Sequence, residues 1–236
     1  MSALRTPAAP WAIVPVKMLA LAKQRLAGVL PPEGRRRLML TMLGEVLGTL
    51  AQVKGLGPIV VVTPDAEVAE LAENHGARVL REVWAGGHSA AAMAGLAHAA
   101  DHGAQRALTL PADAPLVTPA DIAGLIDAAD SEAGARLVLA PSHDRDGTNA
   151  ILATPPDVFL PSFGPGSFAR HLARAEAMGL ACRVVELAGL ARDVDEPRDL
   201  QALLALKRND PSYAFLQGPG GLLVSTPATS IGTIRS

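Results

Sequence analysis

The stretch Ala107-Leu-Thr-Leu-Pro-Ala-Asp113-Ala-Pro-Leu-Val-Thr118-Pro-Ala-Asp-Ile122 decides how the chain is to be read. Its opening apolar run fits a buried strand. A carboxylate, Asp113, follows between two prolines that restrict the local backbone. The stretch closes on Thr118, Pro119 and Asp121, an N-cap, an N1 proline and an acidic N3 residue ahead of Ile122, which is how a helix starts. Strand, polar junction and helix in this order make up one unit of an α/β protein.

The same alternation extends in both directions. Runs 11–16, 59–63, 78–80, 137–140, 150–153 and 183–187 read as further strands, separated by segments of helical period. This predicts an α/β fold of three layers, a mostly parallel central sheet with helices on both faces. Between the first two strands Leu38, Met39, Met42, Leu43, Val46, Leu47 and Leu50 recur at three- and four-residue spacing, one buried stripe on a long helix. Pro31 and Pro32 suit its first turn. Asp65 caps a further helix that ends at Gly76.

With 236 residues the chain is long enough to bury a sizeable core as one domain. The expected division is an N-terminal tail over 1–10, a single domain over 11–206, and an extension over 207–236. In that extension periodicity fades, and only 222–224 resembles a short strand. It reads either as disordered or as an arm onto a partner subunit of a homodimer. Hydrophobic residues at 49% and charged ones at 19% fit a soluble globular protein. No apolar run is long enough to span a membrane. Arg5 ahead of an apolar stretch imitates a signal peptide, but Pro7, Pro10 and Pro15 break it. The lone Cys182 has no disulfide partner, which suits a cytoplasmic location. A net charge of −2 and 3% aromatics give no footprint of a nucleic-acid binder, so a small-molecule partner is expected.

In an open parallel sheet ligands bind beyond the carboxyl ends of the strands. After the first strand come Lys17, Lys23 and Arg25, with no acidic residue before Glu33. Such a loop cradles a triphosphate or is simply a solvated basic surface. Asp113 is a rigid acid suited to magnesium, which takes one or two protein carboxylates together with phosphate oxygens. Asp193 and Asp195, two apart, point the same way if the backbone is extended through Val194. One of them completes the metal site while the other caps the helix at Glu196, or both serve only as a helix start. The run 144–150 is a polar turn whose Gly147 permits close approach and whose Thr148 and Asn149 offer hydrogen bonds; alone it is a hairpin turn. Finally Phe163-Gly-Pro-Gly-Ser167 delivers Ser167 to a helix start whose free N–H groups attract anions. His171, one turn on, reads as a packed or surface residue rather than a base.

In order and spacing, Lys17 with Ala22-Lys-Gln-Arg-Leu-Ala27, Leu110 to Leu116, Gly147-Thr-Asn149, Phe163-Gly-Pro-Gly-Ser-Phe168 and Asp193-Val-Asp-Glu-Pro-Arg-Asp-Leu200 resemble the phospholactate guanylyltransferase family of coenzyme F(420) biosynthesis. The resemblance covers about 11–206. It implies a Rossmann-like fold of the nucleotide-diphospho-sugar transferase type, and transfer of GMP from GTP to a small phosphorylated carboxylic acid with release of pyrophosphate. That acid is phosphoenolpyruvate, 2-phospho-L-lactate or 3-phospho-D-glycerate. By the same resemblance Thr148, Gly164 and Ser167 hold the acceptor, and Asp113 with Asp193 or Asp195 holds Mg2+. Lys17, Lys23 and Arg25 neutralise the GTP phosphates, and Gly87 falls on the nucleotide side. Where the family carries Gly-Leu-Asn this chain has Gly87-His88-Ser89, and Asp144-Arg-Asp146 replaces a glycine-rich run. Both departures bear on ligand specificity. Outside this family, the same loops suit transfer to a sugar phosphate or a molybdopterin, or a sensor that binds the nucleotide without turning it over.

Overall fold

The computed structural model describes residues 8–81, 87–130 and 137–217. Strands β1 (Trp11–Pro15), β2 (Ile59–Val62), β3 (Arg78–Leu80), β4 (Ala107–Thr109), β5 (Leu137–Pro141), β6 (Thr148–Ala153) and β7 (Cys182–Val184) form one sheet in the order β3-β2-β1-β4-β6-β5-β7. Each of the seven strands expected between 11 and 187 is present. All neighbouring pairs are parallel except those of β6, which runs antiparallel to both β4 and β5. That single reversal follows from the turn over 142–147, which folds β6 straight back on β5.

Strand residues alternate between two apolar layers, as the two-residue period of a strand requires. Ala12, Val14, Val61, Val138, Ala140, Ala150 and Leu152 face one core. It is covered by α1 (Pro32–Ala51), α2 (Ala66–Asn74), α4 (Pro119–Asp130) and α6 (Pro197–Leu206). The opposite face packs on α3 (Gly87–Asp101) through Ile13, Val60 and Val62, and on α5 (Ser167–Ala177) through Leu137, Leu139, Ile151 and Ala153. The expected three layers are in place.

Local chemistry sets the helix ends. The whole stripe from Leu38 to Leu50 on α1 is buried, and each such side chain stabilises the fold by about 1.5–3 kcal/mol relative to exposure. Asp65 caps α2 by accepting from the backbone N–H groups of Glu67 and Val68. Thr118 and Asp121 bond each other's backbone N–H groups at the start of α4. Gly95 lies so close to β1 that an added Cβ would sit 2.3 Å from Ile13 Cγ2.

The folded domain continues past 206. Residues Pro211–Leu216 form a 3-10 turn that places Tyr213 wholly inside the core against α1. Its hydroxyl donates to Glu45 Oε2 at 2.7 Å, and Lys207 Nζ donates to Glu45 Oε1 at 2.7 Å. The start of the expected tail is therefore part of the domain, because a buried aromatic and an ion pair need no helical period to hold a segment. The short strand expected at 222–224 lies outside the described residues. No helix is long and apolar enough to cross a membrane, among the described residues.

Candidate active site

A cleft of about 750 Å3 opens at the carboxyl edge of the sheet. Strand order reverses between β1 and β4, where open α/β sheets bind ligands. Because β6 is antiparallel, its first residues, Thr148 and Asn149, share this edge with the loops that follow β1 and β4. Lys17, Lys23, Arg25, Asp113, Thr148, Gly164, Ser167, Asp193 and Asp195 all line the cleft. Gly87 does not; it opens α3 with a φ of +71°, and the two residues after it, His88 and Ser89, line the cleft instead.

On the basic wall, Lys17 and Arg25 are exposed. Arg25 Nη1 lies 3.7 Å from Glu196 Oε1. Lys23 differs: its backbone takes the left-handed conformation (φ +49°), and its side chain turns inward, 3% exposed. Its Nζ bonds Asp113 Oδ2 and, at 2.8 Å, Asp195 Oδ1. Burial works against the ammonium, but the two carboxylates outweigh it and hold its pKa above the ordinary value. Two cations of the loop are thus open to the cleft, while the third is already matched to the acids.

On the acidic wall, Val194 is buried, and its N–H donates to the carbonyl of Asp113 at 3.0 Å. With Val194 turned inward, Asp193 and Asp195 on either side both reach the cleft, as the extended geometry requires. Asn149 Nδ2 donates to Leu190 O at 2.7 Å and lies 3.3 Å from Asp193 Oδ1. Burial, with Asp113 and Asp195 close by, pushes the Asp193 carboxyl up to about 6. For Asp195 burial is outweighed by Lys23, helped by Arg25 and Lys17, and its pKa lies below the ordinary value. The expected capping role belongs to neither residue. Glu196 is the N-cap of α6, since Pro197 occupies N1, and Asp199 Oδ2 accepts from the N–H groups of Glu196 at 2.8 Å and Asp195 at 3.2 Å.

Among the described residues no three His, Cys, Asp or Glu side chains converge as a closed metal cage. Magnesium does not need one, as phosphates and waters complete its shell. Asp113, Asp193 and Asp195 bring hard carboxylate oxygens to one wall of the cleft, a donor type that fits a divalent cation.

The third wall is polar and uncharged. Gly147 allows the turn to close: an added Cβ would lie 3.2 Å from Ser142 Oγ, which accepts the Gly147 N–H at 2.8 Å. The φ values of Gly164 (+120°) and Gly166 (+67°) are ones that side-chain-bearing residues rarely adopt. They swing the chain into α5 and set Ser167 against Thr148, whose N–H donates to Ser167 Oγ at 3.0 Å. The expectation of free amides at this helix start is corrected for its first two residues. The Ser167 N–H donates to Gly164 O at 3.0 Å and that of Phe168 to Asp146 O at 3.2 Å. The hydroxyls of Thr148 and Ser167 remain to meet an anion.

Asn149, expected to offer hydrogen bonds, donates its amide to Leu190 and Asp193, and His88, where the chain departs from the family's pattern, lines the cleft. Although His88 is exposed at the cleft mouth, loss of hydration holds its pKa below the ordinary value; Lys17 and Lys23 act in the same direction, against Asp113 and Asp195. Its ring meets Phe163 edge-on with centroids 5.0 Å apart, and Ser89 Oγ accepts the Phe163 N–H at 2.9 Å. The start of α3 thus holds the glycine loop in place. Asn149 stands inside a motif that carried the family resemblance, whereas His88 stands where the chain departs from it.

A cleft at a strand-order reversal, with cations on one wall and a carboxylate cluster on another, defines a nucleotidyltransferase of the nucleotide-diphospho-sugar transferase type. The family described as guanylyl transferase, CofC like, matches residues 11–234, and the chain belongs to it. A phosphoenolpyruvate guanylyltransferase of Rubrobacter xylanophilus is 45% identical over 195 residues, covering 83% of this chain and 93% of its own. A 3-phospho-D-glycerate guanylyltransferase of Phenylobacterium zucineum is 39% identical over 75% of this chain and 82% of its own. In fold the chain is similar to a candidate nucleotide-diphospho-sugar transferase of Desulfovibrio desulfuricans (TM-score 0.69, 14% identity, 90% of this chain and 92% of that one).

Proposed function

We propose that this guanylyltransferase joins GMP from GTP to the phosphate of phosphoenolpyruvate, with magnesium as its metal. The observation that carries the reading is the division of the cleft. Exposed cations stand after β1, carboxylates after β4 and before α6, and a pair of hydroxyls faces them from β6 and α5. Phosphoenolpyruvate is favoured among the phosphorylated acids by the 45% identity to a relative of that name.

An acceptor phosphate oxygen attacks the α-phosphorus of GTP in line. The new P–O bond forms as the bond to the bridging α–β oxygen breaks, and its electrons leave with pyrophosphate. The acceptor phosphate is largely ionised at neutral pH, its second pKa being near about 6, so no side chain has to remove a proton. Lys17 and Arg25 neutralise the triphosphate and, with Lys23, offset the charge that grows on the leaving group. Thr148, Gly164 and Ser167 hold the acceptor so that its phosphate faces the α-phosphorus. Asp113, with Asp193 or Asp195, would hold magnesium, which when bound spreads the negative charge between attacking and leaving oxygens.

Pyrophosphate release from GTP and magnesium, with phosphoenolpyruvate, 2-phospho-L-lactate or 3-phospho-D-glycerate offered singly and the product identified by mass, tests this. Release with phosphoenolpyruvate is the expected result. Release with another acid alone renames the substrate, and GTP binding without release from any of the three removes the reading.

A further inference from the structure

His171 takes no part in that chemistry, yet it is wholly buried and both of its ring nitrogens are engaged. Nε2 lies 2.9 Å from the backbone N of Ser162. A peptide N–H only donates, so Nε2 presents its lone pair and the ring proton resides on Nδ1. Nδ1 lies 2.9 Å from Thr148 Oγ1, so the Nδ1–H donates and the hydroxyl accepts. The hydroxyl proton of Thr148 therefore points away from the imidazole. Ser167 is in the same position, because its Oγ already accepts the Thr148 N–H. Each hydroxyl carries a protein donor, and each has its own proton left to give.

The ring has little freedom to rotate out of this role. Phe159 and Phe163 meet it edge-on, with centroids 5.5 and 5.6 Å away. Ser162, whose N–H fixes the tautomer, is also the carbonyl that Arg170 Nη2 holds at 3.1 Å. The segment ahead of the glycine loop, the start of β6 and the first turns of α5 are thus joined through one imidazole.

We propose that His171 is a positioning residue for acceptor recognition: it fixes the Thr148 hydroxyl as a donor, so that Thr148 and Ser167 together present two O–H donors to an ionised phosphate or carboxylate. The inference rests on the reading of Thr148 and Ser167 as acceptor ligands. It goes beyond that reading in saying what gives the subsite its preference for anions. Without a donor behind it, the Thr148 hydroxyl is free to turn its proton into the protein and show the ligand a lone pair.

Two replacements separate the two ring nitrogens. His171→Asn places an amide donor near the position of Nδ1 and so retains the bond to Thr148. His171→Gln reaches the position of Nε2, retaining the Ser162 bond and losing the donor to Thr148. With phosphoenolpyruvate as the probe, His171→Gln is expected to raise the acceptor KM roughly tenfold, the weight of one hydrogen bond, with the GTP KM unchanged. His171→Asn is expected to stay near wild type. On a Thr148→Val background, His171→Gln should add nothing further to the acceptor KM. A merely structural role would lower the melting temperature of both variants while leaving the acceptor KM alone. Equal acceptor KM values for the Gln and Asn variants, or additive effects with Thr148→Val, overturn the role of His171. A wild-type enzyme that binds none of the three acids overturns instead the acceptor reading on which it rests.

Discussion

Val194 donates its backbone N–H to the carbonyl oxygen of Asp113 at 3.0 Å. This bond ties the junction after β4 to the segment before α6 and brings acids from distant parts of the chain onto one wall. It involves no side chain, so it survives Asp113→Asn. Lys23 also keeps Asp195 at 2.8 Å, so no buried ammonium is left alone. Asp113→Asn is therefore expected to melt within a few degrees of wild type while its rate of GMP transfer falls by at least about 100-fold, the scale of losing one charge-stabilising group. Transfer at the wild-type rate would take Asp113 out of the mechanism.

Ser167→Ala has two separable effects. The acceptor loses one donor, and the acceptor KM is expected to rise roughly tenfold with the GTP KM unchanged. The buried Thr148 N–H loses its partner as well, which costs about 1–3 kcal/mol. Steady-state kinetics with each substrate varied in turn, together with urea unfolding, reads both. A rise in the GTP KM equal to that for the acceptor would place Ser167 on the wrong side of the cleft.

The fold was legible because the strands of a sheet covered on both faces are nearly continuous apolar runs, and all seven stand where those runs lie. The acid wall was legible for a similar reason: Asp193 and Asp195 flank an apolar residue, and alternation alone turns both outward. What local spacing does not carry is pairing across the chain. Lys23 reads as one more phosphate-binding cation, and only the fold sets it between acids 90 and 172 residues away. Nor does spacing carry the close approach at Gly95, where Ile13 leaves no room for a side chain. Glu196 was passed over as the N-cap of α6 because Asp is the commoner cap, although Pro197 fixes the position.

Tyr213 tests where the domain ends. Its ring is fully buried against α1 and its hydroxyl donates to Glu45, which also accepts from Lys207. Tyr213→Ala is expected to cost about 3–5 kcal/mol, as truncations of buried aromatic side chains do. Tyr213→Phe leaves Glu45 paired with Lys207 and is expected to cost only about 1 kcal/mol. Urea unfolding of both variants gives the comparison. An alanine variant as stable as the phenylalanine one would mean that the segment after 206 contributes nothing to the core.

His171 should leave its mark on the acid stability of the protein. Burial, with Arg170 and Arg174 adding to it, pushes its imidazole down to about 4, whereas an unfolded chain titrates near 6.5. Between those values the unfolded state binds a proton that the folded state refuses, so stability rises with pH across the window. The contribution is complete above about pH 6.5 and is lost as pH falls toward about 4, with an upper bound of about 3 kcal/mol. His171→Gln has no group that titrates there. The unfolding free energy of wild type should therefore drop more steeply than that of the variant between pH 7.5 and 4.5, by up to roughly 2–3 kcal/mol. Parallel curves for the two proteins would mean that the imidazole is not held neutral. Protonation also places a second donor at Nε2 against the Ser162 N–H, so the bond that fixes the ring is broken by the same event. The acceptor phosphate itself takes up a proton near about pH 6 in both proteins, so the mark of His171 is the additional loss of acceptor binding that wild type shows over His171→Gln as pH falls further.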